Sequence, residues 1–186
     1  MGKIWVTSDT HFCHNRDFLY DPRGFDCVKD MDEAIVKNWN EVVAPDDEVY
    51  HLGDVMLCDN VEGERLLRRL NGRIHIIAGN HDSENRVKIY KNCPNVVEVC
   101  HARPLHYNGY HIFLSHFPML TSNFDCEKPL KARTLSFCGH SHTSDPFQDW
   151  FLGPIYHVEL DAHNNRPVSI DECLNDINNH FKKFNG

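Results

Sequence analysis

The stretch RIHIIAGNHDSEN, residues 73 to 85, carries an apolar run straight into Asn80, His81 and Asp82, three side chains that can each bind a metal or move a proton. Four other apolar runs end in the same manner. IWVTSDTH delivers Asp9 and His11, VYHLGD delivers Asp54, HIFLSH delivers His116, and LSFCGHSH delivers His140 and His142. The set mixes carboxylate, imidazole and one amide oxygen and contains no thiolate, which suits borderline and hard cations such as Mn, Fe, Zn, Ni or Mg. It is too large for one tetrahedral ion and fits two ions about 3.5–4 Å apart, bridged by a carboxylate and a solvent molecule. Two cations on one water lower its pKa steeply and supply hydroxide near neutrality. Singly, each piece is weak: an Asp-x-His, a Gly-Asp after a strand or an Asn-His-Asp at a helix start occurs without chemistry. The conjunction carries the reading.

For those groups to meet, the runs that bear them must be strands whose carboxyl ends share one crevice, as in open α/β sheets. The N-terminal half alternates accordingly. KIWVTSD, DEVYHLGD and RIHIIAG read as strands. DMDEAIVKNWNEVV reads as a helix stopped at Ala44-Pro45, VEGERLLRRLNG as one closed by Asn71-Gly72, and SENRVKIYKN as a third. Strand and helix in alternation imply crossover connections and a mostly parallel sheet. From residue 96 the chain is strand-rich: VVEVC, ARPLHY, HIFLSH, RTLSFCGH, IYHVEL and RPVSI, with Asn108-Gly109 as a hairpin turn. Ser169 and Glu172 stand at capping-box spacing for a closing helix. Gly53 and Gly79 precede their polar residues and let the strand turn without a Cβ clash. The loops HFCHNRDFLYDPRGFDCVK and TSNFDCEKPLK are long enough to be functional.

Composition bounds the alternatives. The 186 residues fit one domain, 1–186, and a chain of this length can bury roughly 70% of its unfolded surface without a staple. With 27 acidic against 19 basic residues the formal charge is -8, which argues against a nonspecific nucleic-acid binder and leaves an anionic small substrate open. The eight cysteines, among them Cys126, form no C-x-x-C pair, so reduced thiols in a cytoplasmic protein are expected. The start MGKIWVTSD, which reaches Asp9 after only three consecutive apolar residues, leads us to expect no secretory leader, and no apolar run has the length of a membrane span.

The series D-x-H, G-D, G-N-H-D, a later strand-terminal H and G-H-x-H, spanning residues 9 to 142, resembles the calcineurin-like metallophosphoesterase superfamily. The surrounding SDTHFCH, MDEAIVKNWN, VYHLGDV and RPVSIDE resemble its small bacterial and phage members. The resemblance implies an α/β fold, a four-layered αββα sandwich of two mixed sheets flanked by helices. It also implies a dinuclear metal-dependent phosphoesterase acting on a phosphodiester or phosphomonoester. Carried over, Asp9, His11 and His142 hold one metal, Asn80, His116 and His140 the other, and Asp54 bridges them, with Mn the first expectation. His81 then protonates the leaving oxygen and Asp82 orients it, which agrees with the chemistry, since an imidazolium can give up a proton and an amide cannot.

Arg16 and Arg23 in the first long loop and His163 in ELDAHNNRP are expected near the substrate, and His14 is expected to pack or support the loop. Asp59, a residue out of place for the further Asp of many relatives, receives no role. The partner is a small phosphorylated substrate, a nucleotide among the options, with no membrane. The charge weighs against a processive nuclease and leaves an accessory nuclease open. The competing class, a noncatalytic scaffold on the same fold, is opposed by the filling of every ligand position and of His81.

Overall fold

The computed structural model describes residues 2–121 and 128–185, so Cys126 and most of the second long loop lie outside the described residues. The first sheet has the order β4-β3-β2-β1-β9. β1 (Ile4–Thr7), β2 (Glu48–His51), β3 (Arg73–Ile77) and β4 (Val96–Cys100) run parallel, and β9 (Val168–Ser169) lies antiparallel on β1. VVEVC, grouped by sequence with the strand-rich half, is therefore the edge strand of the parallel sheet. The second sheet has the order β5-β6-β7-β8. β5 (Ala102–Tyr107) and β6 (Tyr110–Ser115) form the expected hairpin, turned by Asn108 and Gly109 at φ 47 and φ 80. β7 (Thr134–Cys138) and β8 (Ile155–His157) continue it in parallel. Both sheets are mixed and helices pack on them, which is the α/β architecture expected.

Period-2 alternation splits the first sheet between two cores. Trp5, Val49, Ile74 and Ile76 face one way and pack with Met31, Ile35, Val36 and Trp39 of α2 (Val28–Val42), Leu66 and Leu67 of α3 (Asn60–Leu67) and Tyr90 of α4 (Glu84–Lys91), whereas Val6, Tyr50, Leu52 and Ile77 face the second sheet and meet Ile112, Leu114, Leu135, Phe137 and Tyr156. α5 (Ile170–Asn185) follows β9 and closes the inter-sheet core with Ile170, Cys173, Leu174 and Ile177. Its start is the expected capping box: Ser169 N–H donates to Glu172 Oε2 at 3.0 Å and Glu172 N–H donates to Ser169 Oγ at 3.2 Å. One helix end differs from expectation. α3 stops at Leu67, and Gly72, at φ +94, turns the chain into β3 where a Cβ would meet Val43 and Val49 at 2.9 Å.

Candidate metal centre

β1, β2, β3, β6 and β7 each end at the same crevice, and their next residues fill it. Asp9 and His11 follow β1, Asp54 follows β2, Asn80 and His81 follow β3, His116 follows β6, and His140 and His142 follow β7. The turns are tight because their glycines pack against one another and against the ligand carboxylates. A Cβ on Gly53 would lie 2.6 Å from the Gly79 nitrogen, and one on Gly79 would lie 2.3 Å from Asp54 Oδ1. Gly139 plays the same part for His140, since its Cβ would stand 2.3 Å from Asp9 Oδ2.

Asp54 lies at the middle. Its Oδ1 accepts the His81 backbone N–H at 2.9 Å, while Oδ2 is 3.6 Å from His11 Nε2 and 3.5 Å from His116 Nε2. On one side, Asp9 Oδ1 is 3.6 Å from His11 Nε2 and 3.7 Å from His142 Nε2, and those two nitrogens are 3.2 Å apart. On the other, Asn80 Oδ1 is 2.8 Å from His116 Nε2 and 2.9 Å from His140 Nδ1. Asp9, His11 and His142 form one group with ligand atoms within 4.8 Å of one another, and Asp9, Asp54 and His116 form a second.

These residues fit a cation by an internal criterion. Asp9 Oδ2 accepts the His140 backbone N–H at 3.0 Å, but Oδ1 is buried without a hydrogen-bond partner. His116 donates its Nδ1–H to the Leu52 carbonyl at 2.8 Å and His142 turns Nδ1 to Asp161 Oδ2 at 3.1 Å, so both aim an Nε2 lone pair inward. Lone pairs converging on an orphaned carboxylate oxygen repel one another until a cation sits among them. Burial works against ionisation of Asp9, yet the closely approaching imidazoles of His11, His142 and His116 hold its carboxyl well below the usual range.

A model of the calcineurin-like phosphoesterase superfamily domain matches residues 3–154. The chain belongs to this superfamily. It is 35% identical over 178 residues to an uncharacterised protein of Methanocaldococcus jannaschii, covering 92% of this chain and 89% of that one. It is 27% identical over 210 residues to the gene 66 protein of Mycobacterium phage L5, covering 100% and 99% of the two chains. The crystal structure of a protein of unknown function from Aquifex aeolicus shares the fold, with TM-score 0.71 at 22% identity over 95% of this chain and 100% of that one. The superfamily is metal-dependent, and this chain carries candidate metal-binding residues at the strand ends.

Four expectations meet different surroundings in this superfamily member. Asp82 does not reach the His81 ring: its Oδ2 accepts the Asp54 and Gly79 N–H groups, each at 2.8 Å, and its Oδ1 accepts the Val55 N–H at 3.2 Å and the Tyr90 hydroxyl at 2.7 Å. It holds the backbone of two ligand-bearing turns. Arg23, expected at the substrate, is buried. Its Nε and Nη2 grip Asp161 at 3.0 and 2.7 Å, and Nη2 also donates to the Asp9 carbonyl at 2.8 Å. His163 Nε2 bonds the His157 carbonyl at 2.9 Å and its ring lies 5.8 Å from that of Tyr156, turned into the fold. Asp59 caps α3, accepting the Val61 and Glu62 N–H groups at 3.0 Å. Arg16 is exposed just ahead of the short α1 (Asp17–Tyr20).

Two residues that sequence reasoning undervalued stand at the centre. Asp161 links Arg23 to His142 in a chain that ends on a ligand; it follows β8, so the rule of polar groups after strand ends could have found it. His14 is 5.2 Å from the His11 ring and 6.4 Å from the His81 ring, both between centroids. Burial and then the neighbouring His11 and His81 push His14 down to about 4, so at neutral pH it is an uncharged aromatic surface. His14 lines a cavity of about 340 Å³ together with His11, Asp54, Asn80, His81, His140 and His142. A second cleft of about 440 Å³, lined by Arg23, Ser144, Asp161 and Asn164, opens on the other side of His142.

Deeper support is also explicit. The buried His51 accepts the Gly53 N–H at Nδ1 (3.2 Å) and so donates from Nε2 to Thr10 Oγ1 (3.0 Å), whose own proton goes to the Val55 carbonyl at 2.8 Å. Burial drives His51 down to about 4, in keeping with this neutral tautomer. Among the described residues no helix is long and apolar enough to cross a membrane.

Proposed function

We propose that the chain, as one domain over residues 1–186, hydrolyses a phosphoester with two bound cations and uses His81 as proton donor. The observation that carries this reading is the convergence of five strand ends on one cavity, with an orphaned Asp9 oxygen, a central Asp54 and inward-facing imidazoles. Asp9, His11 and His142 would hold one cation, Asn80, His116 and His140 the other, with Asp54 between them, and Mn is the first choice for this donor set. When bound, such a pair supplies Lewis-acid polarisation of the phosphate and acidifies water to serve as nucleophile.

The chain's own residues supply the rest. His81 is fixed by its backbone N–H on Asp54 Oδ1, and its Nε2 stands 4.0 Å from Asp54 Oδ2, at the edge of the cavity where an ester oxygen departs. The water oxygen bonds to phosphorus as the ester P–O bond breaks, and His81 gives its proton to the departing oxygen. Arg16, exposed just ahead of α1 in the loop that carries His14, is the candidate to meet a phosphate oxygen. The cavity is open and no capping domain covers it among the described residues, which supports a diester over a monoester. Seven free thiols among the described residues agree with a cytoplasmic setting.

Protein purified without chelator should contain close to two ions per chain. His81→Ala should keep those ions and lose roughly 10²–10⁴ in turnover on an aryl phosphodiester with Mn present. Protein that holds no metal and gains no activity from added Mn would sink the enzyme reading, leaving a noncatalytic scaffold. A His81→Ala protein that loses its metal would overturn the division of roles.

A further inference from the structure

One wall of the 340 Å³ cavity has no part in holding cations. Phe18, Leu19 and Leu57 line it beside His14 and His81. Leu19 is buried, but Phe18 is 68% exposed, an aromatic ring left in water at the mouth of a polar site. Its ring meets that of His14 at 5.7 Å and 85°, so the two form a right-angled corner. A planar group stacked on one ring of such a corner presents its edge to the other, and both geometries are favoured between aromatic rings. An alkyl group gains only the contact area. The corner shares the cavity with His81, whose ring is 6.4 Å from that of His14, so a group held there lies within reach of the proposed proton donor.

We propose that the Phe18–His14 corner seats a planar aromatic substituent on the leaving side of the phosphoester, a nucleobase or an aryl group. This rests on the phosphoesterase reading above and names the substrate class for that site. Phe117, exposed and 5.0 and 4.7 Å from the rings of His116 and His140, does not line this cavity, so it serves as the competing location.

The test is binding, measured by calorimetry on Mn-loaded protein, of two matched pairs: phenylphosphonate against methylphosphonate, and adenosine monophosphate against ribose 5-phosphate. Wild type should prefer the aromatic member by about tenfold, equivalent to about 1.4 kcal/mol. Phe18→Ala should bring that preference close to unity, Phe18→Leu should restore only part of it, and Phe151→Ala, at an exposed ring outside the cavity, should leave it intact. A preference in both pairs makes the occupant a nucleobase; one confined to the phosphonates makes it a simpler aryl group. A preference that survives Phe18→Ala, disappears in Phe117→Ala instead, or is fully kept by Phe18→Leu overturns the proposal. If methylphosphonate binds and the ring adds nothing in wild type, the corner alone is refuted. If Mn is held but none of the four ligands binds, the phosphoesterase reading falls and the corner falls with it.

Discussion

The Arg23–Asp161–His142 chain makes a prediction that separates stability from metal binding. The Arg23 side chain is 1% exposed and that of Asp161 12%, so the pair is effectively buried. Removing one partner of a buried ion pair costs about 3–5 kcal/mol because the other charge stays behind uncompensated. Arg23→Met leaves Asp161 with its His142 contact at 3.1 Å, which places the loss at the lower end, about 3 kcal/mol. In a domain of this size that is a fall of about 6–12 °C in Tm. Asp161→Ala strands the guanidinium instead and also frees the His142 ring, whose orientation depends on that carboxylate. Loss of such a supporting partner weakens metal affinity about 10–100-fold. In the double variant both charges are gone, so its stability should recover most of what either single change lost. Its metal affinity should not recover, because nothing replaces the Asp161 hydrogen bond.

The assays are guanidinium unfolding of metal-free protein, which keeps ligand linkage out of the stability values, and calorimetric titration of apoprotein with Mn. Two results would refute the reasoning. Additive destabilisation in the double variant would mean that the pair is not coupled. Wild-type Mn affinity in Asp161→Ala would mean that the carboxylate does not aim His142.

Three further changes probe the support around the centre. Gly79→Ala sets a Cβ 2.3 Å from Asp54 Oδ1. It should lower both metal content and stability, the latter by about 1–3 kcal/mol, and undiminished occupancy by elemental analysis would contradict the packing argument. Asp82→Ala unpairs the N–H groups of Asp54, Val55 and Gly79 and the Tyr90 hydroxyl, each costing about 1–3 kcal/mol where it stays unsatisfied. Lost metal and lost stability together support the brace, whereas full metal content with only a changed pH–rate profile would restore the His81-orienting role. Asp32, buried in α2, has its carboxyl pushed up to about 7 by burial, with Glu62 and Glu33 adding to the rise against the Cys13 N–H that favours its charge. The folded-state value lies above the unfolded value of about 3.9, so its stabilising contribution is complete below pH ~4 and is lost as pH rises through ~7. Asp32→Asn removes that loss, and its stability relative to wild type should rise between pH 4 and 8 by at most about 4 kcal/mol; a difference that stays flat across this range rules the buried charge out.

Which parts of the centre the sequence exposes follows from the range of the interactions that set them. The parallel core is legible because Trp5, Val49, Ile74 and Ile76 alternate with Val6, Tyr50 and Ile77, and because Met31, Ile35 and Trp39 recur at helical spacing, both local signals. The sheet to which VVEVC belongs depends on pairing with Ile74–Ile77, a choice made by tertiary contact that composition does not record. The seven metal-binding candidates are legible by residue type, since each follows a strand end, but the roles of their neighbours are not. Asp82 and Asp161 are carboxylates beside histidines in sequence and in space, and only hydrogen-bond geometry shows that one braces backbone while the other aims His142. Backbone conformation is the least visible feature. Asp9, His11, Asp54, His140 and His142 all have positive φ, between 48 and 74, a region that non-glycine residues enter at a cost of order 1–3 kcal/mol. Asp and His enter this region more readily than most residues, but their letters alone do not say which of them will. The surrounding fold must supply the compensation, and it does so through the close approach at Gly53, Gly79 and Gly139 and through the carboxylates that hold the turns. The glycines before the ligands are therefore as much a part of the site as the ligands, because without them the strained residues would relax and the lone pairs would no longer converge.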